Sequence, residues 1–302
     1  MGSSCPACGG LLKGSRAVRS GEPGGGRVPL LRCVRCGTAV TAVPAPAEAH
    51  DSGAYATSRP RGAGLAAPLL ALFDRQRLGL LGAAPGARIL DAGAGRGRFV
   101  AFARAAGYDA VGVEPSARGV AAAREAYGVE LVHATLADAP SGPFDSATLW
   151  HVLEHVDDPG AALDALAARV RPGGTLVVGV PNRLSLQARL SRGRWYHLDA
   201  PRHRTHFTPA GLDALLRAHG FTPVRAVHVL AEHNPFGLWV SLVPTRTPSF
   251  LYHLLKRNVR ADPVDLAITL ACLPLVPAAV VLELLAGLAR RGGTIAVVAR
   301  RG

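Results

Sequence analysis

The feature that most constrains the fold of this 302-residue chain is residues 89–97, which read Ile-Leu-Asp-Ala-Gly-Ala-Gly-Arg-Gly. A short apolar run ends in Asp91, and an amphipathic pattern begins at Phe99, just after the last glycine. Glycine lets a backbone approach a ligand without a Cβ in the way, and the first turn of a helix offers unpaired N–H groups. The segment therefore predicts a strand, a ligand-binding turn and a helix, in that order.

A second acidic residue, Glu114, closes the next apolar run, Val-Gly-Val-Glu, 23 residues after Asp91. This is about the spacing at which an acidic residue reaches the ribose hydroxyls in dinucleotide-binding folds. Ligands of parallel sheets bind at the carboxyl ends of the strands, so Thr135, Leu136 and Trp150 are expected at the same site. The pattern predicts a cofactor that carries a nucleoside.

These residues resemble motif I of the class I S-adenosylmethionine-dependent methyltransferases, and Glu114 is similar to their ribose-binding acid. Residues 144–156 resemble the fourth strand of that family with its following turn, and residues 171–174 (Arg-Pro-Gly-Gly) resemble the turn before strand five. The ubiquinone-biosynthesis-like branch often has Leu-Glu-His and His-Phe-Thr, as at 153–155 and 206–208. The resemblance covers residues 85–230 and 294–300.

The resemblance implies S-adenosylmethionine as cofactor. Nicotinamide-dependent dehydrogenases usually have Gly-x-Gly-x-x-Gly, whereas the third glycine here comes one position early, which favours the methyltransferases. The expected cofactor-binding residues lie in the glycine turn and at the ends of neighbouring strands: Asp91, Gly93, Gly95, Gly97, Glu114, Thr135, Leu136 and Trp150.

The alternation of apolar runs and amphipathic segments after residue 87 predicts an α/β fold, a doubly wound, seven-stranded, mostly parallel sheet. We predict a zinc ribbon at 1–43, a linker with a helical cap at 44–84, and a methyltransferase domain at 85–302 with a helical apolar insertion at 231–292. In the cap helix, the periodicity predicts that the apolar residues face the protein and the arginines face solvent: Leu65, Leu69, Leu72, Phe73 and Leu80 inside, Arg75 and Arg77 outside.

Four of the five cysteines form two Cys-x-x-Cys knuckles, each followed by a glycine: Cys5 and Cys8, then Cys33 and Cys36. Two thiolates in one tight turn can bind a single ion, and four thiolates suit a structural, tetrahedral Zn²⁺ with no open position for catalysis. Paired spacing of this kind indicates metal rather than disulfides, and hence a reducing, cytoplasmic setting. Cys272 lies in an apolar run and is expected to be buried.

The formal charge of +13 is compatible with a nucleic-acid partner. Arginine outnumbers lysine 32 to 2, however, and aromatic residues are few. The first fact suggests a compositional bias, and the second leaves no evident stacking platform for single strands. A nucleic-acid partner is therefore less favoured than a small-molecule acceptor, and the oligomeric state stays open.

Three histidines are candidate catalytic bases, because imidazole can be neutral and basic near pH 7: His155 after strand four, and His203 and His206 in the loop 195–207. The alternative is that these histidines bind backbone and hold the loop in place. The segment 183–204 contains six arginines and a single acidic residue, Asp199. They indicate either an anionic acceptor or a solvated basic loop.

Residues 266–282 contain no charge. This length is at the lower limit for a membrane span. Because strands on both sides of the insertion belong to one sheet, a single span is disfavoured. Pro274 and Pro277 predict a hairpin turn in the middle. The segment 264–289 could be a soluble cap, a dimer contact or a membrane hairpin, and contact with a membrane could extend over 236–289.

The leading hypothesis is methyl transfer to an oxygen of a small-molecule or lipid-linked acceptor. The alternative enzyme is a methyltransferase that acts on ring nitrogens of RNA, and it is suggested by the positive charge and the zinc ribbon. A non-catalytic scaffold that binds the cofactor is the third. The expected location is cytoplasmic, with association to a membrane if the insertion contacts lipid.

Overall fold

The alternation expected from the sequence is present in the computed structural model, which describes residues 4–22, 25–45, 63–230, 234–256 and 259–302. The strands are β1 (Leu12–Gly14), β2 (Val18–Arg19), β3 (Arg27–Val28), β4 (Leu30–Cys33), β5 (Ala39–Thr41), β6 (Arg88–Ala92), β7 (Asp109–Glu114), β8 (Val132–His133), β9 (Phe144–Trp150), β10 (Val170–Pro181), β11 (Thr205–His206), β12 (Phe221–Val227) and β13 (Thr294–Arg301). The helices are α1 (Ala63–Leu81), α2 (Arg98–Ala105), α3 (Ala117–Tyr127), α4 (Pro159–Ala167), α5 (Leu186–Ser191), α6 (Pro209–Ala218), α7 (Asn234–Leu242), α8 (Phe250–Leu255), α9 (Pro263–Ala271) and α10 (Val276–Leu288).

Two compact units make up the chain. The first, here called the ribbon unit, comprises Met1–Ala56, Pro181–Leu212 and Val227–Ile295. The second, the sheet unit, comprises Thr57–Val180, Asp213–Ala226 and Ala296–Gly302. These units group the N-terminal cysteines with later parts of the chain. The domain boundaries predicted from the sequence stay a prediction, and most of the linker, residues 46–62, lies outside the described residues.

The main sheet has seven strands in the order β12-β13-β10-β9-β6-β7-β8. Strand β6 pairs in parallel with β7 and β9, β10 pairs in parallel with β9, and β7 pairs in parallel with β8. Leu90, Leu149 and Val177 on the central strands are fully buried, as expected where helices cover both faces of a parallel sheet. The seven-stranded, mostly parallel architecture is confirmed.

Helices α3 and α6 begin or end at capping residues. The Ser116 hydroxyl accepts a hydrogen bond from the Gly119 N–H at the start of α3, and Gly128 ends that helix in the left-handed region. The Thr208 hydroxyl accepts from the Gly211 N–H at the start of α6. These local contacts satisfy N–H groups that a helix terminus leaves unpaired.

The orientation predicted for helix α1 is confirmed for Phe73 and Leu80, which are buried, and for Arg75, which is exposed, but it is wrong for three other residues. Leu69 and Leu72 are about half exposed, whereas Arg77 is buried. The Arg77 guanidinium forms an ion pair with Asp91 and donates to the Thr148 hydroxyl at 3.1–3.2 Å. Periodicity misses this arrangement because a buried arginine becomes favourable only when a buried carboxylate faces it.

The ribbon unit contains a four-stranded sheet in the order β1-β4-β5-β11. Strands β1, β4 and β5 come from the cysteine-bearing segment, whereas β11 comes from residues 205–206 and pairs antiparallel with β5. The Thr208 hydroxyl donates to the Cys36 carbonyl at 2.7 Å. The N-terminal module is thus completed by a strand from more than 160 residues further along the chain.

The apolar insertion is helical from Pro263 to Leu288, through α9, a 3-10 turn at Leu273–Leu275, and α10. Pro274 lies in the 3-10 turn and Pro277 in the first turn of α10, where a missing N–H is tolerated. The hairpin predicted at these prolines is therefore wrong. Among the described residues, this segment of 26 residues, with an 18-residue window of mean hydropathy 2.2, is long and apolar enough to cross a membrane, by length and composition alone. Cys272 is half-buried rather than buried.

Candidate cofactor site and thiolate cluster

The glycine turn after β6 requires its glycines for two reasons. Gly93, Gly95 and Gly97 all have φ between 58° and 74°, in the left-handed region. A Cβ on Gly93 would lie 2.4 Å from Cγ2 of Val152, and one on Gly97 would lie 2.5 Å from Cγ2 of Val129. At both positions the neighbouring valine side chains leave no room for a Cβ, so the turn requires glycine.

Glu114 reaches this turn from the end of β7. Its Oε2 accepts a hydrogen bond from the Gly95 N–H at 2.8 Å, and its Oε1 accepts from the Ser116 N–H at 3.1 Å. The side chain is buried. The structure thus brings together the glycine turn and the acid that the sequence separates by 19 residues. A carboxylate fixed beside a glycine turn fits a ligand with paired hydroxyls, such as a ribose.

Asp91 has a different environment from the one the sequence suggested. Its side chain is buried within the sheet unit and is paired with Arg77, whose guanidinium also lies 4.0 Å from the centre of the Phe99 ring. Burial raises the pKa of Asp91, and the charge of Arg77 opposes that effect. The ion pair links helix α1 to the end of strand β6, and cofactor binding by Asp91 stays a prediction.

The other predicted cofactor residues lie at carboxyl ends of strands. Trp150 ends β9 and packs edge-on against Phe73, with ring centres 5.1 Å apart. A Cβ on Gly179 would lie 2.7 Å from the Trp150 indole, so this glycine makes room for the ring. Thr135 is exposed and donates to Asp138 at 2.6 Å, and Leu136 beside it is half-buried.

The turn after β9 holds a pair that the sequence reasoning missed. His151 has φ 54°, which is uncommon for a residue with a side chain. Its Nδ1 lies 2.9 Å from Oε1 of the buried Glu154, while the Oε2 atom of Glu154 is buried without a hydrogen-bond partner among the described residues. A carboxylate that binds Nδ1–H orients the imidazole and makes Nε2 the basic nitrogen. The strained backbone and the buried acid are the signals that mark this turn.

The three predicted catalytic histidines differ in environment. His155 lies in the same turn of the sheet unit and is half-buried, with its backbone N–H donating to the Val152 carbonyl. His203 is buried in the ribbon unit, with Nδ1 2.9 Å from the His197 carbonyl oxygen. For His203 this geometry favours the alternative, in which the histidine binds backbone.

His206 is also buried in the ribbon unit, where its Nε2 lies 3.1 Å from the Thr41 hydroxyl. That hydroxyl donates its hydrogen to the His203 carbonyl at 2.6 Å, so the His206 Nε2–H is the donor to Thr41. Burial, followed by the charge of Arg183, lowers the pKa of His206 to about 3, against a smaller opposing effect of Asp199. A buried imidazole with so low a pKa is a poor general base near pH 7.

The four cysteines of the ribbon form a thiolate cluster whose sulfur atoms all lie within 4.8 Å of one another. The Sγ atoms of Cys5 and Cys36 are 3.7 Å apart, and those of Cys8 and Cys33 are 3.5 Å apart. A tetrahedral zinc ion with Zn–S bonds of about 2.3 Å would hold its sulfurs about 3.8 Å apart. The spacing therefore fits Zn²⁺ with four protein ligands.

Backbone groups support the thiolate form within this cluster. Burial opposes ionisation of Cys33, but hydrogen bonds from the N–H groups of Cys36 and Arg35 and from the thiols of Cys8 and Cys36 together outweigh it and lower the pKa of Cys33 to about 6. Burial raises the pKa of Cys5, against the opposing effect of hydrogen bonds from the Ala7 and Cys8 N–H groups. Gly9 and Gly37, which follow the two knuckles, have φ of 70° and 77°. They let each knuckle fold back on itself, as the sequence predicted.

Residues 63–226, more than half of the chain, match a family model for a methyltransferase domain. The ubiquinone biosynthesis O-methyltransferase of Xanthomonas campestris pv. campestris is 39% identical over 110 residues, which are 33% of this chain and 46% of the relative. The corresponding enzyme of Alkalilimnicola ehrlichii is 33% identical over 111 residues, 34% of this chain and 45% of the relative. The chain thus spans about half the length of the curated relatives it matches.

Among solved structures, the [4+2]-cyclase SpnF is similar with a TM-score of 0.53 and 17% identity, over 87% of this chain and 98% of the cyclase. The cyclopropane synthase MmaA2 from Mycobacterium tuberculosis is similar with a TM-score of 0.51 and 17% identity, over 76% of this chain and 82% of the synthase. At these identities the similarity concerns the fold alone. With the family match and the glycine turn, it shows that the chain belongs to the class I S-adenosylmethionine-dependent methyltransferase family.

Proposed function

We propose that this protein transfers the methyl group of S-adenosylmethionine to an oxygen nucleophile of a small-molecule or lipid-linked acceptor. The observation that carries the proposal is the Glu114 carboxylate, which is hydrogen-bonded to the glycine turn at the mouth of the sheet. The printed name of the relatives, ubiquinone biosynthesis O-methyltransferase, supports oxygen as the nucleophile.

The residues that would hold the cofactor are Glu114, for the ribose hydroxyls, and the turn at Gly93, Gly95 and Gly97, for the amino-acid part. The sulfonium supplies an activated methyl group, so the protein mainly has to align the acceptor and exclude water. Trp150 and Phe73 contribute apolar surface in the sheet unit. Thr135 and Leu136 are the proposed contacts beyond the ribose.

Transfer to a hydroxyl forms the carbon–oxygen bond, breaks the carbon–sulfur bond and releases the hydroxyl proton. We propose that a histidine of the turn after β9 accepts this proton. His151 is favoured because the buried Glu154 binds its Nδ1 and orients the ring. His155, in the same turn, is the second candidate. For His203 and His206, the buried contacts support a structural role.

A structural Zn²⁺ bound by Cys5, Cys8, Cys33 and Cys36 is part of the proposal. Four thiolates leave no open coordination position, so the ion would fold the ribbon and take no part in methyl transfer. The short sulfur–sulfur distances support this assignment.

The test is incubation of the zinc-loaded protein with methyl-labelled cofactor and a cell extract fractionated into lipid, small-molecule and RNA pools. We expect label in the lipid or small-molecule pool. Label in RNA alone would establish the RNA methyltransferase instead. Cofactor binding without label in any pool would establish the non-catalytic scaffold.

The proton acceptor is tested with a matched pair, His151→Gln and His155→Gln. General base catalysis contributes about 10²–10⁴-fold, so loss of the base should lower kcat by that factor while leaving cofactor affinity unchanged. The same loss in His155→Gln alone would assign the role to His155. Full activity of both variants would refute a histidine base in this turn.

A further inference from the structure

The apolar segment from Pro263 to Leu288 has its polar residues on the inside. Asp265 and Thr269 of α9 are buried within the ribbon unit. The Asp265 carboxylate accepts hydrogen bonds from the N–H groups of Arg246 at 2.7 Å and Thr247 at 3.0 Å. The Thr269 hydroxyl donates to the Asp265 carbonyl. Polar side chains thus fasten this helix to the rest of its unit.

Helix α10 is held in the same way. Glu283 is buried and accepts hydrogen bonds from the Gly293 N–H at 2.6 Å and from Nε2 of Gln187 at 2.8 Å. Ala279 and Ala286 are buried on the same face of the helix. A helix bound along one face by a buried carboxylate is part of its unit, which opposes an isolated membrane span.

The large apolar side chains of the same segment point away from the protein. Five of them are more than half exposed: Leu270, Leu275, Val281, Leu285 and Leu288. A surface helix of a soluble protein has the opposite arrangement, with apolar residues inside and polar residues outside. Exposed apolar patches of this kind mark surfaces that contact a partner or a membrane. We call this surface the apolar ridge.

The ribbon unit also contains a cleft of about 920 Å³, and the described residues that line it include nine arginines and no acidic residue. Three come from the N-terminal strands, Arg16, Arg19 and Arg27. Four come from residues 183–194, and the last two are Arg290 and Arg291. We call this surface the arginine cleft. Its last two arginines follow Leu288 of the apolar ridge almost directly in the chain.

The charge of the arginine cleft is not neutralised by carboxylates among the described residues. Arg19 donates to the Arg246 carbonyl, Arg27 to the Ala17 carbonyl, and Arg194 to the Val243 carbonyl. By contrast, Arg202, from the same basic loop, is paired with Asp199 at 2.6 Å. Of the six arginines of 183–204, four line the cleft and carry excess positive charge, whereas Arg202 is paired with a carboxylate.

We propose that the ribbon unit docks on an anionic lipid bilayer, with the apolar ridge in the acyl–headgroup boundary and the arginine cleft on lipid phosphates. A bilayer surface offers apolar chains and anionic phosphates side by side, which matches an apolar helix whose C-terminus leads into arginines. An RNA would match the cleft and leave the ridge exposed to water. A second copy of the chain would cover the ridge and bring two cationic clefts together.

The test is flotation of the zinc-loaded, full-length protein with vesicles of phosphatidylcholine alone or with 30% phosphatidylglycerol. We expect binding to the anionic vesicles that weakens as salt is raised. Leu285→Glu and the double variant R290Q/R291Q should each weaken binding at least tenfold. Leu72→Glu and Arg118→Gln are the matched controls, because they change an exposed leucine and an exposed arginine of the sheet unit. Both controls should bind like the unchanged protein.

Three results would overturn the proposal. The first is equal affinity for neutral and anionic vesicles. The second is absence of vesicle binding together with salt-sensitive binding of an oligoribonucleotide that R290Q/R291Q weakens. The third is absence of vesicle binding together with a concentration-dependent dimer that Leu285→Glu dissociates. Thermal unfolding of each variant checks that it is folded. If Leu285→Glu does not fold, R290Q/R291Q still decides the test, because it changes only exposed side chains. Flotation does not measure methyl transfer, so its failure is separate from failure of the proposed enzymatic function.

Discussion

The buried imidazole of His206 should make the protein less stable in mild acid. Burial lowers its pKa to about 3 in the folded protein, from an ordinary value of 6.5. Between these two values the unfolded chain binds a proton that the folded protein does not. Stability then rises with pH. The contribution of His206 to the free energy of unfolding is fully present above about pH 6.5 and is lost progressively as pH falls toward 3.

The size of the effect follows from the two pKa values. Between pH 7 and pH 5, protonation of an imidazole of ordinary pKa stabilises the unfolded chain by about 2 kcal/mol. The variant His206→Gln removes the titrating group and keeps a donor for the Thr41 hydroxyl. The free energy of unfolding of the unchanged protein should therefore fall by about 2 kcal/mol more than that of the variant over this range.

The assay is urea unfolding at pH 5, 6 and 7, followed by tryptophan fluorescence in zinc-containing buffer. Loss of zinc in acid acts on both proteins, so the difference between their two pH profiles isolates His206. Parallel profiles would refute the reasoning. So would a nuclear magnetic resonance titration in which the His206 ring of the folded protein has a pKa near 6.5.

Three further changes test the candidate sites. Glu114→Ala should weaken S-adenosylmethionine binding more than tenfold in calorimetry, whereas Asp109→Ala, at the exposed start of the same strand, should not; equal effects would remove Glu114 from the site. Gly93→Ala should also lose cofactor affinity and lower the melting temperature, because its Cβ would overlap Val152; an unchanged melting temperature would contradict the close contact. Cys33→Ser should release zinc in a colorimetric metal assay and loosen β11 as well as residues 1–43 in hydrogen exchange; unchanged protection of β11 would show that the ribbon folds separately.

Several features could be predicted from the sequence because they depend on neighbouring residues. The left-handed turn at Gly93, Gly95 and Gly97 follows from residues that alone tolerate such φ values. The thiolate cluster follows from Cys-x-x-Cys spacing, since each knuckle is a local turn. The seven-stranded main sheet follows from apolar runs that alternate with amphipathic segments.

The errors concern residues whose environment is set by distant parts of the chain. Arg77 was assigned to solvent because its helix alone does not reveal its partner, the distant Asp91 carboxylate. The His151–Glu154 pair was missed because a strained φ leaves no mark in the sequence. The proline hairpin was wrong because a 3-10 turn lets the segment stay helical past Pro274.

The sequence by itself determined the family, the glycine turn and the cysteine cluster, because these are short motifs whose geometry is dictated by backbone freedom and residue spacing. Only the tertiary structure decided which charges are neutralised and which face of a helix is covered. Arg202 is paired, whereas the arginines of the cleft are not, and the polar residues of the apolar segment face inward. Ion pairing and burial depend on contacts between residues far apart in the chain, and no local pattern specifies those contacts.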